Sequence, residues 1–232
     1  MTIRKVRLET DHLETRGRLL ETAVKMFAEN GFHGVSVREL CAAAGANVAA
    51  IQYHFGGKEG LYQAIFETTL DEDETSFNVA MNNIDLALKH TDPDKKQITL
   101  AVEMYINSFF ARFPLNEQKR WFSVLVLREI SFPGPGFEQI LNRRVKRSQQ
   151  TLSRIIATLQ KIDEHSEMAR LQAHVINGTI MSALLSRNVL TRIMNWKTLT
   201  PKTLEQLYKV VSQLVFNSLS LTPPQVTLST EK

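Results

Sequence analysis

Between Ser36 and Lys58 the chain reads SVRELCAAAGANVAAIQYHFGGK, and its punctuation leaves room for two short helices and a turn. Ser36 and Glu39 have the spacing of a capping box, the serine hydroxyl taking the Glu39 amide while the glutamate reaches back. Leu40, Ala43 and Ala44 then face inward. Gly45 stops this helix after barely two turns, and Asn47 is placed to cap the next, which runs from about Val48 to Phe55. Gly56-Gly57 breaks the run and Lys58 opens another helix. Helices this short do not stand alone in water. The pair has to pack on a third.

That third helix precedes them. From Asp11 to Asn30 the apolar period is helical, with Leu20, Ala23, Val24 and Phe27 on one stripe and Leu13 and Leu19 beside it. Asp11 and Glu14 have the spacing of an N-cap and its return partner, and Gly31 suits the left-handed position after the last turn. The expected shared core is Leu20, Val24, Phe27, Val37, Leu40, Ala44, Ile51 and Phe55. Residues 1–10 are polar and basic at Arg4, Lys5 and Arg7. They read either as a frayed terminus or as an arm that reaches a polyanion.

The remainder is helical by pattern. A fourth helix runs from Lys58 through Leu61, Ile65 and Phe66 toward Leu88, and His90-Thr91-Asp92-Pro93 reads as a turn. A fifth covers about Lys95 to Phe113, Pro114-Leu115-Asn116 interrupts, and a sixth covers about Glu117 to Ile130. Ser131 to Gly136, SFPGPG, is a loop. Further helices are expected over Phe137 to about Lys161, Ser166 to about Thr191, and Pro201 to about Leu221. The last starts with proline at a tolerated first-turn position. No alternating strand pattern of useful length is present. The expected architecture is all-α, about nine helices: a three-helix head over 1–57, a larger helical body over 58–221 and a loose tail over 222–232.

Composition narrows the classes. The formal net charge is +4, and the first 58 residues carry eight Lys/Arg against six Asp/Glu. A polyanionic partner is thus permitted, but charge placement has to matter more than charge number. The single cysteine, Cys41, allows no disulfide within the chain and fits a reducing cytoplasm; it reads as a small buried filler. No secretory h-region and no run of about 18 apolar residues is visible, so a cytoplasmic protein that does not span a membrane is expected. Only Glu9-Thr-Asp-His12 has the Glu-x-x-His spacing of a di-iron bundle, and it lies in the arm. No HExxH, P-loop or G-x-S-x-G is present, and the histidines are scattered. No cofactor, no metal and no enzymatic activity are expected. An all-α enzyme and a helical interaction protein with a basic face remain the rival readings.

A helix-turn-helix lays its second helix in the major groove while flanking groups hold phosphates. Val48, Ala49 and Ala50 make that helix slim and able to touch thymine methyls, and Gln52 can pair bidentately with adenine. Tyr53 and His54 offer polar tips to phosphate oxygens. Lys58, beside the unpaired N–H groups of the next helix, can meet a phosphate. Arg38 can reach guanine or a phosphate, and Thr15 and Arg16 can add a backbone contact. The full candidate DNA-contact set is Thr15, Arg16, Ser36, Val37, Arg38, Asn47, Val48, Ala49, Ala50, Gln52, Tyr53, His54 and Lys58.

The stretch LLETAVKMFAENGFHGVSVRELCAAAGANVAAIQYHFGGKEGLY resembles the N-terminal domain of the TetR family of transcriptional regulators, over about residues 13–65. NVAAIQYHFGGKEGLY, with LREISFPGPGFEQI later on, is most similar to its CecR-like branch. The resemblance implies that Arg38, Val48, Ala49, Ala50 and Gln52 face bases, and that Ser36, Tyr53, His54 and Lys58 face the backbone. Where the family often has tyrosine this chain has Gln52, and where it often has a serine or asparagine cap this chain has Gly57.

The body is then expected to pair and to sense. Pairing is assigned to Leu171, Val175, Gly178, Ser182 and Leu185 on one late helix and to Leu204, Leu207, Val211, Leu214 and Val215 on the last; the resemblance implies a four-helix bundle between two copies. Alternatively these residues fill the core of a single chain. A small, largely apolar effector is expected against Phe66, Phe77, Met81, Met104, Phe109, Phe113, Trp121, Phe122 and Leu125. Arg128, His174 and Asn177 are the polar candidates there. Arg128 and Glu129 either pair with each other or offer Arg128 to an anion. Arg143, Arg144, Lys146 and Arg147 read as a solvated face or as a second anion patch. The partners expected are a double-stranded operator, a second copy of the chain and the effector. Repression is the habit of the resembled family.

Overall fold

The computed structural model describes residues 3–89, 93–111 and 117–224. Residues 90–92 of the expected turn, the interruption at 114–116, Phe113 and the tail from residue 225 lie outside them. Every regular element among the described residues is helical: α1 (Ile3–Asn30), α2 (Val37–Ala44), α3 (Val48–Phe55), α4 (Lys58–Ala87), α5 (Lys95–Phe110), α6 (Glu117–Ser131), α7 (Phe137–Ile140), α8 (Lys146–Gln160), α9 (Glu167–Leu185), α10 (Arg187–Ile193) and α11 (Pro201–Ser218). None of them is long and apolar enough to cross a membrane.

Several helix limits differ from those expected; α11, for one, ends at Ser218 rather than about Leu221. α1 begins at Ile3, so Asp11 lies inside it rather than capping it. No glycine or proline stands between Ile3 and Asp11 to stop the helix from running back. The helix expected over Phe137 to Lys161 is interrupted by a π-helical stretch, Leu141–Val145. The helix expected to reach Thr191 breaks at Ser186, whose hydroxyl donates to the Ser182 carbonyl at 2.5 Å. That local back-bond competes with regular helix. Elsewhere local chemistry sets the helix ends. Gly31 takes φ +75 after α1, Asp94 and Gln97 form a capping box on α5, and Thr200 caps α11 with Pro201 in its first turn.

The chain folds into two compact units, one taking in the chain as far as Glu72 plus Asn116–Leu141, the other Asp73–Leu115 and Asn142–Lys232. α4 therefore contributes to both. The first unit buries Leu19, Ala23 and Phe27 of α1 with Leu40, Ala44 and Ile51 of the short pair. Leu61, Tyr62, Ile65 and Phe66 of α4 and Leu125 of α6 complete that core. Leu20, Val37 and Phe55 of the expected core are only partly buried and pack at its margin. Most of the packing of α6 is along α1, so this unit is larger than the three-helix head drawn at Gly57.

The second unit is built on Phe77, Met81 and Ile84 of α4, with Val102, Tyr105 and Ile106 of α5. Leu152 and Ile156 of α8, Ala173 and Ile180 of α9, and Tyr208, Val211 and Phe216 of α11 close it. Its arginines do not form the solvated face expected of them. Arg143 pairs with Glu74, Arg147 with Asp85 at 2.7 Å, and Arg154 bridges Asp85 at 2.9 Å and Glu164 at 2.7 Å. Arg144 lies over the Phe77 ring, 4.7 Å from its centroid. A π turn admits one more residue than an α turn, which places Arg143, Arg144 and Arg147 together toward α4.

Candidate nucleic-acid interface

The short helix pair is held by reciprocal local bonds. The Glu39 amide donates to Ser36 Oγ at 3.2 Å, and the Ser36 amide donates to Glu39 Oε2 at 2.8 Å. Those bonds from Ser36 hold the Glu39 carboxyl below its ordinary pKa. Gly45 ends α2 at φ 61, a left-handed conformation in which a Cβ would be strained. Asn47 Oδ1 accepts the Ala50 amide at 2.8 Å. Between the helices the Cys41 thiol donates to the Asn47 carbonyl at 3.3 Å. Burial pushes the pKa of this thiol up, so it stays protonated and able to donate. Cys41 is more than a filler: it pins the turn.

α3 fully buries only Ile51. Val48, Ala49, Gln52 and Tyr53 are exposed, Tyr53 to 74%. Positions i, i+1, i+4 and i+5 share one side of a helix, so these four side chains form a single outward surface. On α2, Arg38 is exposed, as is its N-cap Ser36. Ala50 and His54 are half-buried at the margin of that surface. The His54 ring lies edge-on to Tyr53, 5.0 Å between centroids.

Other candidate contacts are already engaged within the chain. Val37 packs on the core, and Asn47 uses its side chain as a cap. The Arg16 guanidinium lies 5.5 Å from the centroid of Phe55, and Thr15 accepts from Arg18 at 3.3 Å. Lys58 departs furthest from its expected role. Its ammonium donates to the Val35 carbonyl at 2.8 Å and lies over the Phe32 ring at 4.5 Å. It staples the start of α4 to the segment that enters α2.

Residues 99–220, more than half of the chain, match the family described as the C-terminal domain of the HTH-type transcriptional dual regulator CecR. Residues 19–65 match the TetR family of bacterial regulatory proteins. The chain belongs to the TetR family, in its CecR-like branch. The HTH-type transcriptional dual regulator CecR of Shigella flexneri is 22% identical over 210 residues, 89% of this chain and 93% of that protein. Among solved structures, AibR in complex with isovaleryl coenzyme A and operator DNA aligns with a TM-score of 0.58 at 18% identity, over 90% of this chain and 99% of that one. A putative fatty acid metabolism regulator of Clostridium perfringens aligns with a TM-score of 0.54 at 16% identity, over 90% of this chain and all of that one. Both share the fold of this TetR-family chain.

The residues assigned to pairing divide. Leu171, Val175, Gly178 and Ser182 are exposed along one stripe of α9, Val175 to 65%, and Leu214 is exposed on α11. Leu185 and Leu207 are half-buried. Leu204, Val211 and Val215 are buried in the core of the second unit and are not available to a second copy. Met168 on α9 and Val210 on α11 are likewise exposed, each to 58%. An α-helix with apolar residues on two faces does not say in sequence which face meets its own core.

The residues assigned to the effector also divide. Phe66 and Leu125 are in the core of the first unit, with Trp121 and Phe122 packed against it. Phe77 and Met81 are in the core of the second, with Met104 and Phe109 packed against it. Arg128 is exposed and lies so close to Gly31 that a Cβ there would sit 2.3 Å from its Nη2. It does not pair with Glu129, whose partners are Tyr62 and two backbone amides. His174 is exposed. Asn177 accepts the Tyr105 hydroxyl at 2.5 Å and donates to Gln149 at 3.1 Å. A cavity of about 500 Å³ opens elsewhere in the second unit, among Pro93, Lys95, Ile98, Leu159, Lys161 and Leu219. Helix ends form it, and no periodic pattern marks helix ends.

Proposed function

We propose that this TetR-family chain is a ligand-responsive repressor that binds a palindromic operator as a homodimer and is released by a small, largely apolar molecule. The observation that carries the DNA part is the outward surface of α3: Val48, Ala49, Gln52 and Tyr53, exposed on a helix whose caps and turn are fully bonded. A slim apolar pair beside one bidentate amide suits an A·T-containing step in the major groove. Arg38 and Ser36 flank it, and Tyr53 and His54 supply phosphate contacts. Lys58, held by Val35 and Phe32, acts chiefly by keeping α4 and the entry to α2 together. Thr15 and Arg16 remain at the edge of the contact set.

A head of this size covers one half-site. Two copies related by a two-fold axis place their reading helices about 34–36 Å apart, or a multiple of that. The exposed stripe Leu171, Val175, Gly178 and Ser182 on α9, with Leu214 on α11, is the surface we assign to that pairing. Residues 58–221 then carry pairing and sensing, and 1–57 carry reading. An effector that prefers the state with misplaced heads shifts the population by no more than its preference between the two states.

The test is selection of duplexes from a random-sequence library by the purified chain. An inverted repeat with half-sites about one helical turn apart is expected, bound with steep salt dependence. Enrichment of no common sequence, or of a lone half-site, would sink this reading.

A further inference from the structure

Glu129 of α6 is a buried carboxylate, 2% exposed, on which three donors from two parts of the chain converge. The Tyr62 hydroxyl donates to Oε1 at 2.6 Å, and the amides of Gly134 and Gly136 donate to Oε2 at 3.2 and 2.9 Å. At those two glycines the loop has no room for a side chain. A Cβ at Gly134 would lie 2.7 Å from Glu129 Oε1, and one at Gly136 would lie 2.3 Å from the Phe66 ring. Gly136 has an ordinary φ of −90. Glycine is required there by space, not by backbone conformation.

The other end of this cluster leads to the reading helices through contacts in the same unit. The Tyr62 ring stands edge-on to Phe27 at 4.8 Å and to Phe32 at 5.0 Å. Phe32 receives the Lys58 ammonium at 4.5 Å, and that ammonium donates to the Val35 carbonyl at 2.8 Å. Val35 immediately precedes Ser36, the N-cap of α2. Tyr62 and Lys58 are four residues apart on α4 and so lie on one side of it. A continuous set of hydrogen bonds and ring contacts thus joins the Ser131–Gly136 loop to the entry of the DNA-reading pair.

We propose that Glu129 is a positioning residue for operator binding: with the loop seated on its carboxylate, Tyr62 and through it Lys58 and Val35 hold α2 and α3 in the DNA-competent arrangement. Unseating the loop releases them. This rests on the DNA-reading function proposed above. Coupling of this kind is reciprocal, so operator binding must in turn tighten the loop.

The test is amide hydrogen exchange on the full chain, free and bound to the duplex that the wild type selects. Binding is expected to slow exchange at Gly134 and Gly136 about tenfold. Tyr62→Phe, which removes one donor and keeps the ring, is expected to lose that slowing. It should also weaken duplex binding about tenfold at a temperature where circular dichroism shows it folded, within the range seen for changes along a coupled element. Glu129→Gln, whose amide can still accept from the loop and donate to the Tyr62 oxygen, is expected to retain most of both effects. Unchanged exchange at Gly134 and Gly136 on duplex binding by the wild type overturns the proposal without needing any variant. Wild-type duplex affinity in folded Tyr62→Phe overturns it equally. If the wild type selects no duplex, this proposal falls together with the DNA-reading function; if it selects one and the exchange is unchanged, this proposal falls alone.

Discussion

Replacing Tyr105 with phenylalanine separates a packing role from a polar one in the second unit. The ring is fully buried, and its hydroxyl donates to Asn177 Oδ1 at 2.5 Å with the Ser148 carbonyl 3.1 Å away. Tyr105→Phe keeps the buried ring but leaves the half-buried Asn177 oxygen without its proton donor. Stranding one such acceptor costs about 1–3 kcal/mol. The pH dependence gives a second, independent reading. Burial pushes the Tyr105 hydroxyl above its ordinary pKa, so the folded state keeps it neutral while the unfolded chain ionises above about pH 10. The stability this contributes is therefore complete below pH 10 and is lost as pH rises above it. At pH 11 the loss is about 1.4 kcal/mol. The variant has no hydroxyl to titrate. Urea unfolding at one protein concentration, followed by circular dichroism at pH 8 and pH 11, is the assay. The wild type is expected to lead the variant at pH 8, and its lead is expected to shrink by about 1.4 kcal/mol at pH 11. Equal stability at pH 8, or a lead that does not change with pH, refutes the reasoning.

Gln52→Ala should leave thermal stability unchanged, since the side chain is exposed, and should relax selection at one base pair by about 1–3 kcal/mol, read from selected duplexes. Lys58→Met should lower stability by about 1 kcal/mol because it breaks a bond to Val35, while the salt dependence of duplex binding keeps its slope. A slope reduced by about one would instead make Lys58 a phosphate contact. Val175→Asp places a charge on the exposed stripe of α9 and should give a folded monomer by light scattering; a dimer of wild-type strength would move the pairing surface elsewhere.

How much of this was legible depends on how local the cause is. The capping box of Ser36 and Glu39, the Asn47 cap and the glycine stops at Gly45 and Gly56 act within four residues, and the structure has each in place. The Tyr62–Glu129 bond spans 67 residues. In sequence Glu129 showed only as a candidate partner of the adjacent Arg128. The arginines after Leu141 looked like a solvated face because an α-helical register spreads them around the helix, and nothing in LNRRV announces a π turn. Leu204, Val211 and Val215 were misassigned for a different reason. Periodicity finds an apolar face, but whether that face meets its own core or another copy is decided by the neighbours it packs against.

The proposed reading helix illustrates a division of labour that follows from its burial. α3 has eight residues and fully buries one of them, Ile51, so its own packing cannot hold it. Its position is set by groups at its ends: the Asn47 cap, the Cys41 thiol on the turn, and the Lys58 staple to Val35. None of these is part of the exposed Val48, Ala49, Gln52 and Tyr53 surface. Substitutions on that surface are therefore expected to alter which bases are read, at little cost to the fold. Substitutions at the framing positions alter affinity for every sequence alike, because they move the helix as a whole. Selection experiments on the two groups should separate cleanly on this basis. Changes at Gln52 shift the preferred sequence, whereas Asn47→Ala, which removes a cap worth about 1 kcal/mol, weakens binding without changing the sequence preferred.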